Sequence, residues 1–165
     1  MSETYDAHLE SFRQSAFVKN WEEYKSLYDR SITDPEGFWA EQAETYLSWD
    51  RKWDSVLRYD FHEAHIEWFK NGRLNASANC LDRHMETLAD KVALYWEGDD
   101  PSEANAYTYG DIYERVNRFA AALKSKGVQK GDRVIIYLPM IIELPVAMLA
   151  CARIGAIDRK STRLN

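Results

Sequence analysis

The stretch from Gly131 to Ile157 constrains this 165-residue chain more than any other. Gly131-Asp132 reads as a turn that delivers the chain into Arg133–Leu138, a fully apolar strand after its first residue. Such a strand has no face to offer water, so it belongs inside a sheet covered on both sides, as parallel sheets are. A second helix follows, in which Pro145 is tolerable only within the first turn. Upstream, Val92–Trp96 reads as a strand. Thr108 with Asp111 resembles a capping box opening a helix whose Ile112, Val116, Phe119 and Leu123 form a buried stripe. Gly127 stands where a C′ glycine belongs. Strand, helix, strand, helix marks a parallel α/β layer, and α/β is the fold class expected.

The first part of the chain has a different character. Seventeen of the 22 aromatic residues, including all six Trp, lie in residues 1–96. Large aromatic side chains need a partner surface, so this region reads as a helical, aromatic-rich arm lying on a larger body. Phe17, Trp21, Tyr24 and Tyr28 recur at helical spacing. A second helix start lies at Thr33-Asp34-Pro35-Glu36 in one of two registrations. Either Asp34 is the N-cap with Pro35 at N1, or Thr33 and Glu36 form a capping box. In both cases Phe38, Trp39, Gln42, Ala43 and Tyr46 share a face. Residues 56–69 turn to a period of two, with Ile66 and Trp68 flanking Glu67, and Asn71-Gly72 is a strong turn signal. A helix is expected from Asn79 to Ala89 with Leu81, Met85 and Leu88 aligned, and residues 98–102 read as a loop.

Charge and cysteine usage exclude several classes of function. With 21 Lys+Arg against 27 Asp+Glu the net charge is −6, and no basic footprint for nucleic acid or an anionic membrane is present. Cys80 and Cys151 lie far apart, which speaks against a disulfide scaffold and a structural zinc site. Met1-Ser2-Glu3-Thr4-Tyr5-Asp6 is acidic and reads as neither a secretory nor a transit peptide. Val134 to Ile157 has the length of a membrane span. Pro139, Glu143, Pro145 and Arg153 interrupt it, so a buried strand followed by a buried helix is the better account. The expected compartment is the cytoplasm.

Each candidate for chemistry has a plainer reading. His62-Glu63-Ala64-His65 invites a metal, but extended residues place positions 62 and 65 on opposite faces. Asp82-Arg83-His84 joins an acid, a cation and a base, yet neighbours on a helix diverge by about 100°. An ion pair from Asp82 or Arg83 that pins the arm is favoured over a catalytic dyad. Gly127-x-x-x-Gly131 ends a helix instead of opening one and lacks a following Lys-Ser/Thr, so it reads as a turn and not a phosphate loop. Glu143 fits a helix start, where carboxylates are stabilised. Cys151, between Ala150 and Ala152, fits tight helix packing, with no His placed to activate it.

Several stretches together resemble one family. Trp68-Phe69-Lys70-Asn71-Gly72-Arg73-Leu74-Asn75, Asn79-Cys80-Leu81-Asp82-Arg83-His84 and Tyr95-Trp96-Glu97-Gly98-Asp99-Asp100 are similar to the N-terminal part of acetyl-CoA synthetases. Tyr107-Thr108-Tyr109, Gly127 to Val134, Pro139-Met140 and Ala150-Cys151-Ala152-Arg153-Ile154-Gly155-Ala156 continue the resemblance. Asp34-Pro35-Glu36-Gly37-Phe38-Trp39 matches the arm that precedes the AMP-binding domain. Ordered along residues 17–157, the resemblance implies an ATP-dependent, AMP-forming acetate–CoA ligase of the adenylate-forming superfamily. In such an enzyme acetate and ATP give acetyl adenylate, and CoA then gives acetyl-CoA and AMP. ATP, CoA and Mg²⁺ are the implied co-reactants, acetate the substrate, and the remainder of the synthetase fold the structural partner, with no nucleic acid or membrane. A propionyl-CoA synthetase, or a non-catalytic module docking on a synthetase subunit, are the alternatives.

The resemblance also implies what this chain lacks. The family's Ser/Thr/Gly-rich phosphate loop, acetate pocket, ribose-binding aspartate, CoA-contacting arginines and adenylation lysine all come after the position matching residue 157. No catalytic, cofactor-binding or metal residue is therefore assigned to any position here, and the chain alone is expected to be inactive. The division expected is a tail (1–16), the synthetase N-terminal region (17–78), the start of an AMP-dependent synthetase domain (79–157) and a non-family tail (158–165). That last tail, Asp158-Arg159-Lys160-Ser161-Thr162-Arg163-Leu164-Asn165, resembles translated vector or adapter sequence. The α/β domain is thus expected to be truncated.

Overall fold

The computed structural model describes residues 14–160. It divides into two compact units. One runs up to Leu47 and includes Asp54–Lys70, and the other joins Ser48–Trp53 to the chain from Asn71 onward.

Among the described residues the first unit is built mainly from two helices and a hairpin. Helix α1 spans Trp21–Thr33, capped by Asn20, whose side-chain oxygen accepts from the Glu23 N–H at 2.8 Å. Helix α2 spans Pro35–Tyr46. Of the two possible registrations the structure takes Asp34 as N-cap, accepting from the Gly37 N–H at 3.0 Å with Pro35 in the first turn. The Thr33 hydroxyl is then spent on the Asp29 carbonyl of α1. Arg30 of α1 pairs with Glu41 of α2 and lies over the Phe38 ring. Strands β1 (Ser55–Asp60) and β2 (His65–Lys70) form an antiparallel hairpin in which Leu57 faces Trp68 and Asp60 faces His65. The expected turn at Asn71-Gly72 is not the hairpin turn. The chain reverses at residues 61–64, where Asp60 accepts from the His62 N–H at 2.8 Å. Asn71, at φ +60°, instead leads out of β2 toward the Arg51–Arg73 bridge.

The second unit holds both clusters of buried apolar side chains. The expected continuous helix from Asn79 to Ala89 is broken into three pieces. They are α3 (Ala76–Cys80), a 3₁₀ turn (Asp82–His84) and α4 (Met85–Leu88). The break is at Leu81, whose backbone (φ −123°, ψ −64°) leaves the helical region while its side chain is buried to 3% exposure. Burial of Leu81 outweighs continuation of the helix, since helical segments this short are held by tertiary packing.

Strand β3 (Val92–Trp96) pairs with β4 (Asn105–Thr108) in an antiparallel ribbon. The link from β3 to β4, residues 97–104, is too short for the crossover that parallel pairing needs, and among the described residues β3 pairs with β4 alone. Helix α5 (Tyr109–Ser125), strand β5 (Arg133–Ile136), helix α6 (Glu143–Ile154) and strand β6 (Ile157–Lys160) follow. The β5–α6–β6 unit is the expected parallel crossover, with Arg133 opposite Ile157 and Ile135 opposite Arg159. Residues Asp158 to Lys160, expected to lie outside the family fold, thus form most of β6.

Helix α6 is buried on two sides, as a helix apolar all round must be. Val146 and Ala150 join Ile112, Val116 and Ala120 of α5 and the buried Leu81. Leu144, Ala147 and Cys151 join Ile136 and Ala156 against β5 and β6. Ala150 and Cys151 have no exposed surface. Gly155 closes α6 in the left-handed region at φ +73°, where a residue without a Cβ is favoured.

Candidate functional site

The densest polar constellation in the second unit surrounds the C-terminal end of α6. Asn75 is the N-cap of α3, its side-chain oxygen accepting from the Ala78 N–H at 3.1 Å. Its Nδ2 donates to the carbonyls of Ala152 (3.2 Å) and Arg153 (3.0 Å). One side chain thus serves a helix start and two carbonyls of a helix end, of which that of Ala152 also accepts from the Gly155 N–H at 3.1 Å. Arg153 meets Asp82 in a bidentate pair, Nη1 to Oδ1 at 3.0 Å and Nη2 to Oδ2 at 2.5 Å, and its guanidinium lies over the Tyr113 ring. A cation in the last turn also complements the helix dipole. The Arg153 side chain is 19% exposed. Its Nε and the Oγ of fully buried Ser77 have no hydrogen-bond partner.

This arrangement is a lock. Both Asp82 oxygens are engaged by Arg153, and Asp82 and His84 meet different neighbours. His84 packs on the Tyr109 ring, with centroids 5.4 Å apart. The sequence favours an ion pair from Asp82 or Arg83 that pins the arm; the pair formed is Asp82–Arg153, and it joins the 3₁₀ turn to α6 within the second unit. Nothing in the local sequence named Asn75 or Arg153 as partners. They stand 71 to 78 positions from the groups they hold, a distance over which spacing carries no signal.

The remaining candidates separate. His62 lies in the hairpin turn and His65 opens β2. Among the described residues no group of three or more His, Cys, Asp or Glu side chains is placed to hold a metal ion. Gly127 and Gly131 both have positive φ, +88° and +89°, and form the turn between α5 and β5, where the Gly131 N–H donates to the Gly155 carbonyl. Cys151 sits in the core, and burial, with Asp158 adding to it, pushes its thiol above the ordinary range, the reverse of an activated nucleophile.

A cleft of about 810 Å³ runs between α5 and α6, with Phe119, Ala122, Leu138, Val146 and Ala147 on its apolar side. Its rim carries both signs: Arg115 is 3.9 Å from Glu143 and Arg118 is 3.2 Å from Glu114. A carboxylate of the chain stands at each helix start beside it, and the one at α5 makes a cap hydrogen bond whereas the one at α6 does not. At α5, Asp111 accepts from the Thr108 N–H at 2.9 Å, and that bond, with one from the Thr108 hydroxyl, holds its carboxyl below the ordinary range. At α6, Glu143 stands in the first turn. The negative charge of Glu143 is matched by Arg115, and Arg115 and Arg118 both line the cleft. Asp111 and Arg118 thus serve the helix and its surface. No described helix is long and apolar enough to cross a membrane.

Comparison with known proteins gives this architecture its family. Residues 24–80 match the model for the acetyl-coenzyme A synthetase N-terminus, and residues 81–158 match the model for AMP-binding enzymes. Taken together the two matches run without a gap across both units. The chain belongs to the acetyl-CoA synthetase branch of the AMP-binding, adenylate-forming enzymes. An acetyl-coenzyme A synthetase from Halorhodospira halophila is 53% identical over 92% of this chain and 22% of its own length. One from Alkalilimnicola ehrlichii is 58% identical over 81% of this chain and 21% of its own length. The solved structure of acetoacetyl-CoA synthetase from Streptomyces lividans superposes with a TM-score of 0.73 at 26% identity, covering 92% of this chain and 23% of that one. The chain thus spans little more than a fifth of the length of the curated relatives it matches.

Proposed function

We propose that this chain is the N-terminal segment of an acetate–CoA ligase and has no ligase activity by itself. In the whole protein, acetate would displace pyrophosphate from ATP to give acetyl adenylate. The CoA thiol would then displace AMP to give acetyl-CoA. The observation that carries the reading is the end-to-end match of the two family models over residues 24–158, with relatives above 50% identity that bear the acetyl-CoA synthetase name.

The described residues offer no assembled site for ATP, CoA or Mg²⁺. Asp111 is engaged in the cap of α5, Glu143 is 3.9 Å from Arg115, and among the described residues no three His, Cys, Asp or Glu side chains are placed to hold a metal ion. No step of the reaction is therefore assigned to a residue here. Asp82, Arg153 and Asn75 are structural. The division at residues 78 and 79, the non-family character of residues 158–165 and a cytoplasmic location belong to the same proposal.

Two assays test it. The purified chain, given acetate, ATP, CoA and Mg²⁺, is expected to form no acetyl-CoA, and calorimetry with ATP is expected to show no saturable heat. Saturable ATP binding would overturn the inactive reading. The intact protein that carries this segment is expected to release pyrophosphate in the presence of acetate. Turnover of a different carboxylate, with none on acetate, would overturn the substrate.

A further inference from the structure

Among the described residues the chain has one parallel unit, β5–α6–β6. In sheets of this kind ligands bind in the crevice outside the carboxyl ends of the strands. The carboxyl end of β6 falls at Lys160, in the stretch read as non-family, so the end of β5 is the one that bears on a ligase. The link that leaves it, residues 137–142, is held by hydrogen bonds. The Ile141 N–H donates to the Pro139 carbonyl at 2.9 Å, and the Leu144 N–H to the Ile141 carbonyl at 3.0 Å. From 44 positions upstream, the Trp96 indole Nε1–H donates to the Met140 carbonyl at 2.7 Å.

The indole is itself packed in place. Trp96 ends β3 and is half-buried, and the chain turns back beside it at Gly98. A Cβ on Gly98 would stand 3.2 Å from the Trp96 ring and 3.0 Å from the Glu103 Cβ, so a residue without a side chain suits that position. Met140 is nonetheless 72% exposed. The tether fixes its backbone and leaves the residue open to contact, which is pre-organisation for a ligand and not packing of a core. Residues 134–142 contain no charged side chain, so the link suits no phosphate, which takes cations or free N–H groups. A thioether instead favours the edge of a flat aromatic ring. Among acetate, ATP and CoA the one such ring is adenine.

We propose that Met140 forms one wall of an adenine subsite in the intact ligase, and that Trp96 is the positioning residue that holds it there. The proposal rests on the reading of the chain as part of an acetate–CoA ligase. It goes further by naming the ring that is held and the residue that sets its wall. One wall does not bind by itself, so the isolated chain stays silent toward ATP.

The test is calorimetry on the intact protein that carries this segment, with AMP as probe for the adenine of ATP and adenosine 3′,5′-bisphosphate for that of CoA. Trp96→Phe keeps a ring and removes the N–H. It is expected to weaken at least one of the two by on the order of fivefold, the loss of one hydrogen bond. Met140→Ala is expected to weaken the same nucleotide by on the order of threefold, and Met140→Leu, which restores the apolar volume, by less. The nucleotide affected names the source of the adenine. The KM for acetate is expected to stay the same in all three variants. Unchanged affinity for both nucleotides overturns the subsite, and so does an effect of one position without the other, since Trp96 acts only through Met140. A loss shared by both nucleotides and by acetate overturns the positioning role, because a tether that only supports the fold would disturb all three. Binding of neither nucleotide by the unsubstituted protein also overturns it. Failure of the family reading looks different: the unsubstituted protein would release no pyrophosphate with acetate.

Discussion

At the scale of single residues, Asp82 and Arg153 carry the most consequence. Their bidentate pair ties a 3₁₀ turn to the end of α6, and the arginine is the more buried partner. Removing the carboxylate leaves a mostly buried guanidinium without its counter-charge, which costs more than the pair's net worth. Asp82→Ala is expected to lower the unfolding free energy by about 3 kcal/mol, read from urea denaturation followed by fluorescence. Asp82→Ala combined with Arg153→Met should cost less than the sum of the two single changes. Additive losses would show that the pair is not coupled. That the Asp82-Arg83-His84 triplet supplies an ion pair and not a catalytic dyad is legible in the sequence, because neighbours on a helical turn diverge, but which of Asp82 and Arg83 forms it is not. The partner Arg153 is not legible either, since Asp82 and Arg153 meet only when α6 is in place. Cys151 is readable as packing from its small neighbours Ala150 and Ala152, and burial pushes its thiol above the ordinary range.

At the scale of elements, the capping box of α5 makes the sharpest prediction. Thr108 Oγ1 accepts from the Asp111 N–H at 3.1 Å, and Asp111 accepts from the Thr108 N–H. Thr108→Ala is expected to cost about 1 kcal/mol, measured by thermal unfolding with Asp111→Asn as a second variant. The pH dependence follows from the sign of the shift. The Asp111 carboxyl titrates lower in the folded chain than in the unfolded one, so the folded state binds fewer protons there. Its contribution is present above the unfolded value of about 3.9 and is lost as pH falls through the lower folded value. Asp111→Asn should flatten stability against pH below about 4, and an unchanged acid limb would refute the assignment. Caps are legible because their chemistry is local, as with Thr108–Asp111 and Asp34–Pro35. The break at Leu81 and the hairpin turn at 61–64 were not. The first is imposed by burial of one side chain against α5 and α6, and the second by an Asp60 turn weaker in sequence than Asn71-Gly72. The antiparallel pairing of β3 was also hidden, because alternation of strands and helices is silent on which strands pair.

At the scale of the whole molecule, the family was legible from ordered motifs between Asp34 and Ala156, whereas no catalytic chemistry could be read from any residue. The physical reason is in the distribution of surface. Phe17, Trp21, Phe61, Tyr95, Ile135, Tyr137 and Met140 are each more than two-thirds exposed. Large apolar groups left in water at that density mark surfaces meant for contact, and the buried residues of the second unit are mostly small or medium-sized side chains around α6. Burial at that level stabilises a fold weakly, because the ordering entropy of the chain must be offset by apolar area removed from water. The chain expressed alone is therefore expected to unfold over a broad, weakly cooperative thermal transition, to bind a hydrophobic dye strongly and to elute as associated species. If instead it melts in one sharp transition and elutes as a monomer, the exposed aromatics are tolerated by a self-sufficient fold. If it melts broadly and associates, the exposed apolar surface accounts for the weakness of the isolated chain.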